Sequence, residues 1–381
     1  MKTKILNFLK KELMLTLSVT AAIISLFITP PDATLLTRID WRTLGILLMM
    51  LCVLEGFKKE NVLGPVVYWA SGIKRMTVLS LFLIFGVFFS SMFVTNDVSL
   101  IIFVPLTIVL FRNGGKEHYI LPVISMENIA AIRGSLLTPF GSPQNLFLYG
   151  QVDVSIGQFL LHMSPLMGMS AVLLIIFVFV LYRKNPTEET SLTEENRKER
   201  PSESRKGMVY ILLFLLVLAV IVTRTSLWLW AVAIVLVGIA LTDRKIFRQV
   251  DYVLILTFFC FFVFSSSISA NPGIAALLKQ AVAGREYWWV IGLSQIISNV
   301  PASIVLYPFS ENFAGLIYGA DTAGLVSLIG SLASVINYRI YVREYPGKGR
   351  DFIKTFTLIS WAFFAIVVIP GYFLSKWNFF G

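Results

Sequence analysis

Residues 138–145 read Thr138-Pro139-Phe140-Gly141-Ser142-Pro143-Gln144-Asn145, and they interrupt an otherwise apolar stretch that runs from 118 to 150. Two prolines and a glycine so close together break a helix. The break leaves backbone N–H and C=O groups without helical partners. In hydrocarbon each such group costs several kcal/mol, so the irregular backbone must be buried in protein or line a polar cavity.

Working outward, the same pattern recurs three times. Thr95-Asn96-Asp97 interrupts 76–111, Ser298-Asn299-Val300-Pro301 interrupts 286–309, and Ser327-Leu328-Ile329-Gly330-Ser331 interrupts 315–342. Around these lie uninterrupted apolar runs at 13–29, 44–56, 159–182, 208–223, 227–241, 251–268 and 355–375. These runs are expected to cross a membrane as helices. The first, preceded by a basic stretch and ending at Pro30-Pro31, is expected to be an uncleaved membrane helix rather than a signal peptide. Composition agrees: 56% of the 381 residues are hydrophobic and 14% charged, against about 25% charged in soluble proteins.

That balance argues against a water-soluble enzyme. Cys52 and Cys260 both lie in apolar runs, so neither a disulfide framework nor a four-ligand zinc site is expected. His118 and His162 lie near segment ends and are expected at the interface. No G-x-x-x-x-G-K-[ST] pattern occurs, which argues against ATP-driven pumping. No paired acidic metal motif or Ser/His/Asp set is apparent, so the chain is not expected to be an enzyme.

Lysine and arginine set the expected topology. With the N-terminus cytoplasmic, 25 of the 32 basic residues fall inside and six outside, while Arg133 falls within a membrane segment. Such asymmetry is an orientation signal. It places both ends of 76–111 inside and both ends of 286–309 outside. The C-terminus then lies outside. The net charge of +10 is read as topology, with no nucleic-acid partner. A multi-pass protein of the cell (plasma or inner) membrane is expected.

The polar segment 183–207 carries seven basic and six acidic residues and reads as a flexible cytoplasmic linker. It separates a membrane half at 1–182 from a second at 208–381. Each half has a span, a short stretch on one side, a hairpin (76–111; 286–309) and a broken segment (118–150; 315–342). The order is the same and the orientation opposite. The expected fold is therefore all-α and polytopic, with two inverted-topology repeats, each holding a re-entrant helical hairpin and a broken transmembrane helix. For 76–111, two full spans joined by an outside turn is the other reading.

The breaks carry the chemistry. Helix N-termini at a break present N–H groups to anions, and freed carbonyls suit a cation such as Na⁺. The candidate substrate- and ion-binding residues are Thr95, Asn96, Asp97, Arg133, Thr138, Pro139, Gly141, Ser142, Asn145, Ser298, Asn299, Ser327, Gly330 and Ser331. Asp97 reads as a coupling carboxylate or as a helix cap. Arg133 reads as a partner for a substrate carboxylate, or as a structural partner of Glu127 or Asp97.

The stretches TNDVSLIIFVPL (95–106), GSLLTPFGSPQNLFLYG (134–150), SQIISNVPASIVL (294–306) and SLIGSLASVINYRIY (327–341) resemble the ion-transporter superfamily. That group includes divalent anion:sodium symporters, citrate transporters, arsenite permeases and related sodium/proton antiporters. The resemblance implies a central site, elevator-type alternating access and commonly a homodimer. Sodium-coupled dicarboxylate members resemble Ser-Asn-Thr at both hairpin tips, where this chain has Asp97 and Val300 in third place. A sodium ion at Asn96, Asp97 and Asn299 is the corresponding metal expectation. The expected function is secondary transport of a small anion, a carboxylate or inorganic oxyanion, coupled to H⁺ or Na⁺, with no other cofactor. Arsenite efflux or sodium/proton antiport is the alternative.

Overall fold

A computed structural model describes residues 13–32, 34–62, 69–70, 72–190 and 205–377. Among these residues there are sixteen α-helices and no β-strand beyond a single bridge between Arg75 and Glu189. The first half holds α1 (Leu13–Ile28), α2 (Trp41–Lys59), α3 (Met76–Val94), α4 (Asn96–Asn113), α5 (Ile120–Ser135), α6 (Pro143–Gln151) and α7 (Ile156–Leu181). The second holds α8 (Arg205–Thr223), α9 (Trp228–Asp243), α10 (Tyr252–Ser269), α11 (Pro272–Val282), α12 (Glu286–Ile297), α13 (Asn299–Leu306), α14 (Phe313–Ala323), α15 (Leu332–Glu344) and α16 (Gly349–Ser375).

Six of these helices (α3, α4, α7, α8, α10 and α16) are long and apolar enough to cross a membrane. The distribution of side chains agrees. Large apolar residues such as Phe179, Leu212, Trp230, Leu358 and Phe373 are exposed, while Ser80, Ser91, Thr107, Ser170 and Ser360 are buried. Water-soluble proteins favour the reverse. The chain is an all-α, multi-pass membrane protein.

Local chemistry starts the helices where the chain needs them. Asp40 caps α2 by accepting from the Thr43 N–H at 2.9 Å, and Asp251 caps α10 in the same way from Leu254 at 3.0 Å. Ser155 and Gln158 form a reciprocal capping box at the start of α7. Asn312 caps α14 at Gly315.

Packing interleaves the two halves. Helix α1 lies along α10, while α8 and α9 lie against α2. The hairpin α3–α4 packs on α5, and the hairpin α12–α13 packs on α14. After each break the chain crosses over: α6 packs on α13, and α15 packs on α4 and α5.

Two expectations are revised here. The segment expected to be flexible over 183–207 is pinned at its start. The Met76 N–H donates to the Glu188 carbonyl at 2.9 Å, and Thr190 donates to the Lys74 carbonyl at 2.8 Å. Helix α8 already begins at Arg205; residues 191–204 lie outside the described residues, as do most of those in the short stretch 61–73. His162 is buried rather than interfacial, with Nδ1 3.0 Å from the Tyr318 hydroxyl and Nε2 2.9 Å from the Trp377 carbonyl. These partners come from α14 and from just beyond α16, so a core position supplies both ring nitrogens with bonds. His118 is exposed.

Candidate functional site

Both hairpins turn on one strained residue. Thr95 adopts φ 72°, ψ 157° and Ser298 adopts φ 69°, ψ 161°. This region of backbone space belongs almost wholly to glycine, and a side chain there costs of order 1–3 kcal/mol. What holds each tip is the broken helix of its own half. The Asn96 N–H donates to the Gly141 carbonyl at 3.3 Å, and the Asn299 N–H donates to the Gly330 carbonyl at 3.2 Å. Side chains reinforce both contacts. The Thr138 hydroxyl donates to the Met92 carbonyl. Gln295 donates to the Ala323 carbonyl at 3.2 Å and accepts from the Ser327 hydroxyl at 2.7 Å.

The two glycines are required by space. A Cβ on Gly141 would lie 2.5 Å from the Ser135 carbonyl oxygen, and one on Gly330 would lie 2.3 Å from that of Ala323. Each break thus folds back onto the last residue of its first half-helix. Asn145 ties the first break further, donating to the Ser135 and Leu136 carbonyls at 3.2 and 3.3 Å.

Four helices consequently begin around one cavity of about 410 Å³. Its lining includes Asn96 and Asp97 from α4, Pro143 and Gln144 from α6, Asn299 and Val300 from α13, and Ser331 and Leu332 from α15. Each of these residues belongs to the first turn of its helix or caps it, where N–H groups lack helical acceptors. The opposite wall is α10, through Val253, Leu254, Thr257 and Phe258, with Leu15 of α1. Exposed Asp251 and Arg339 border one end. Asp97 Oδ1 accepts no hydrogen bond among the described residues.

Beside the cavity the two broken helices meet through buried hydrogen bonds. Arg133 of α5 and Asp321 of α14 are both fully buried. Arg133 donates to the Asp321 main-chain carbonyl at 3.4 Å, and Gln144 of α6 donates to the Asp321 carboxylate at 2.9 Å. Arg133 Nε and Nη2, and Asp321 Oδ2, have no partner among the described residues.

Of the residues expected from sequence, Asn96, Asp97, Ser298, Asn299 and Ser331 line the cavity. Thr95, Thr138, Gly141, Asn145, Ser327 and Gly330 instead build its frame, through the strain and bonds described above. Ser142 caps α6, with its hydroxyl accepting from Asn145 N–H at 3.4 Å. Pro139 is buried in the first break. Arg133 does not line the cavity, and it meets neither Glu127 nor Asp97 but the other half of the molecule. Asp321, Gln144, Gln295 and Arg339 were missed as candidates. Asp321 had a signal: it is the sole charged residue between Asn312 and Asn337, and an ionisable group at membrane depth is a site candidate by default.

Comparison with known proteins agrees with this architecture. The chain is similar to Inner membrane protein YbiR of Escherichia coli (strain K12), with 29% identity over 87% of this chain and 89% of that protein. It is also similar to Uncharacterized transporter MJ0456 of Methanocaldococcus jannaschii, with 29% identity over 79% and 81%. A 46 kDa membrane protein of Mycobacterium leprae matches at 22% identity over 80% and 79%. The family model for the citrate transporter, CitMHS, matches residues 5–330. That match takes in both hairpins, the whole first break and the second as far as Gly330, and the chain is accordingly a membrane transporter that belongs to the citrate transporter family.

Proposed function

We propose that this transporter carries a small anion, a carboxylate or an inorganic oxyanion, by secondary active transport coupled to Na⁺ or H⁺. One observation carries the reading: four helix N-termini surround one cavity. Their unpaired N–H groups and the positive ends of their dipoles favour a negative ligand. The volume of about 410 Å³ falls in the range of small-molecule sites, about 300–1,000 Å³. The membership of the citrate transporter family supports a carboxylate.

Asp97 opposes an anion, so it suits the coupling ion rather than the substrate. Its unpartnered Oδ1 gives a cation or proton a seat beside the anion. This same atom favours the second reading, cation antiport without any anion.

The cavity lies between α1–α10 and the unit made of hairpins and broken helices, which suits an elevator motion of that unit. Asp251 and Arg339 border it on the lysine- and arginine-rich side, so we read this conformation as open to the cytoplasm. At the other side, Arg224 donates to the carbonyls of Tyr149, Val152 and Val154 at 3.0, 2.5 and 2.9 Å, and Gln151 donates to Asp40 at 2.8 Å. In an elevator cycle these bonds hold the outer side shut and must break.

The test is thermal stability of the purified protein with citrate, succinate, sulfate or arsenite, each with and without Na⁺, at two pH values. A ligand of the folded state raises its stability by mass action. The expected result is stabilisation by one anion, weakened at least about tenfold in Asn96→Ala and Asn299→Ala. Stabilisation by Na⁺ or pH alone would replace the anion reading with cation antiport.

A further inference from the structure

A second polar cluster lies away from the cavity, where α4, α5 and α15 pack against one another. Glu127 and Asn128 of α5, Thr107 of α4, and Ser334 and Asn337 of α15 are all essentially without exposure. None of the five lines the cavity. On α15 the division is by face: Ser331, Val335 and Arg339 line the cavity, whereas Ser334 and Asn337 bond to α5.

The hydrogen bonds leave a one-sided remainder. Thr107 donates to Glu127 Oε1. Asn128 Nδ2 donates to the Ser334 hydroxyl at 3.0 Å, and Asn337 Nδ2 donates to the Ile124 carbonyl at 2.7 Å. A main-chain carbonyl only accepts, so the Asn337 amide is fixed with its oxygen pointing away from Ile124. Glu127 Oε2, Asn128 Oδ1 and Asn337 Oδ1 then accept from nothing among the described residues. Ile124, Glu127 and Asn128 are spaced three and four apart on α5, and Ser334 and Asn337 three apart on α15. Such residues share a helix face, and the two bonds between α5 and α15 bring those faces together.

Three donorless oxygens, one of them on a carboxylate, have a definite chemistry. No lysine, arginine or histidine forms an ion pair with Glu127 among the described residues. A buried carboxylate is stable when paired, metal-bound or protonated. A proton on Glu127 would supply one donor and leave two amide oxygens unmet. Carboxylate, amide and hydroxyl oxygens are the ligands that a small hard cation takes.

We propose that Glu127, Asn128 and Asn337, with the Thr107 and Ser334 hydroxyls beside them, form a sodium site separate from the cavity. Its position assigns it a purpose. The site joins α5 of the first half to α15 of the second, and α15 also lends its N-terminus to the cavity. Sodium binding would therefore fix the cavity wall without touching the transported solute. The coupling role rests on the transport reading above; the binding claim does not.

The experiment measures thermal stability and ²²Na⁺ binding of the full-length protein in detergent, without any anionic substrate, with K⁺ replacing Na⁺ as the ionic-strength control. Wild type is expected to show saturable Na⁺ stabilisation that K⁺ does not reproduce. Glu127→Gln keeps the shape and the Thr107 bond but loses the charge, and in combination with Asp97→Val, which removes the cavity carboxylate, is expected to abolish the saturation that Asp97→Val alone retains. Asn337→Ala and Asn128→Ala are expected to raise the half-saturating Na⁺ concentration at least about tenfold. Asn299→Ala, in the cavity, is expected to keep the sodium response. Should Glu127→Gln fail to fold, the two asparagine variants carry the test by themselves.

The proposal is overturned if wild type shows no Na⁺-specific effect or binding. It is equally overturned if the effect survives in the asparagine variants, or if acid alone stabilises wild type in place of Na⁺. Loss of anion binding with the sodium response intact would sink the transport reading and leave this site standing.

Discussion

The two hairpin–break units share their backbone and differ in their chemistry. Thr95 and Ser298 hold nearly the same strained angles, and each following asparagine N–H meets a glycine carbonyl at 3.2–3.3 Å. Yet the first hairpin has limbs of 19 and 18 residues and the second of 12 and 8. The first tip continues into Asp97, the second into Val300. Before its break the first broken helix carries Glu127, Asn128 and Arg133, and the second carries Asp321 as its one charge there. What the halves share is the means of turning a chain on one strained residue held by a glycine carbonyl. What they do not share is where selectivity and coupling must be sought.

The shared part is the most fragile. In both Gly141→Ala and Gly330→Ala the new Cβ would sit within 2.5 Å of a main-chain carbonyl oxygen, which has no side-chain freedom to yield. Overpacking of this kind costs about 1–3 kcal/mol or more, and it also parts the tip from the loop that restrains its strain. Both variants are expected to lose several degrees in Tm and nearly all transport in proteoliposomes. Wild-type behaviour in either one would break the equivalence of the two units.

The differing part is expected to separate function from folding. Asp97→Val gives the first tip the residue class of the second. Its carboxylate has an oxygen without a donor, so removal costs no buried bond there. Transport is expected to fall at least about tenfold and to lose its dependence on the coupling ion, with Tm near wild type. The cap of α4 is Thr95, with Asp97 in the first turn, so if transport and its ion dependence persist, Asp97 only complements the positive end of that helix.

The same contrast explains what sequence could and could not reveal. The breaks were legible because Pro, Gly and Asn inside apolar stretches have no other physical use at that depth. Spans 13–29 and 251–268, for example, were placed within a residue or two of α1 and α10 for the same reason: apolar length alone fixes them. The division of labour within the breaks was not legible. Gly141 and Gly330 read as ligand contacts, yet their carbonyls accept from the Asn96 and Asn299 N–H groups in the frame, which depends on tertiary approach. Arg133 stands out in the sequence but its partner does not, because Asp321 lies 188 residues away on the other half. Spacing along the chain says nothing about which helices cross.

A smaller effect should distinguish the two tip asparagines. The Asn299 amide donates to the Ala320 carbonyl at 3.2 Å, which links the second hairpin to its broken helix. Among the described residues the Asn96 side chain only accepts, from the next residue, Asp97, at 2.9 Å. A buried bond of this type contributes about 1 kcal/mol. Asn299→Ala is therefore expected to lower Tm by more than Asn96→Ala, by a few degrees. Both should weaken anion binding alike, since both line the cavity. Equal Tm losses would show that the side-chain link to α14 carries no weight.

The smallest expected difference lies at the base of the first hairpin, in the clasp formed by residues 183–190. Glu188 accepts from Lys116 at 2.8 Å and from the Tyr119 hydroxyl at 2.5 Å. The second hairpin has at its base an exposed pair, Lys279 and Glu311. The bond from Lys116, and then that from Tyr119, hold the Glu188 carboxyl below its ordinary value. A depressed carboxyl stabilises the folded chain above the unfolded value of about 4.3, and that contribution fades as pH falls through the folded value. Glu188→Gln should thus cost roughly 2 °C in Tm at pH 7, as befits a partly exposed pair. The gap between wild type and variant should narrow as pH falls below the unfolded value of about 4.3 and close only below the lowered folded value, where wild type is itself protonated. Glu311→Gln, across the same range, should change Tm by less, because Glu311 and its partner Lys279 both stand in solvent and screening leaves the pair little to lose. A gap at Glu188 that holds constant into acid would mean that packing of residues 183–190, and not the ionised carboxylate, closes the hairpin base.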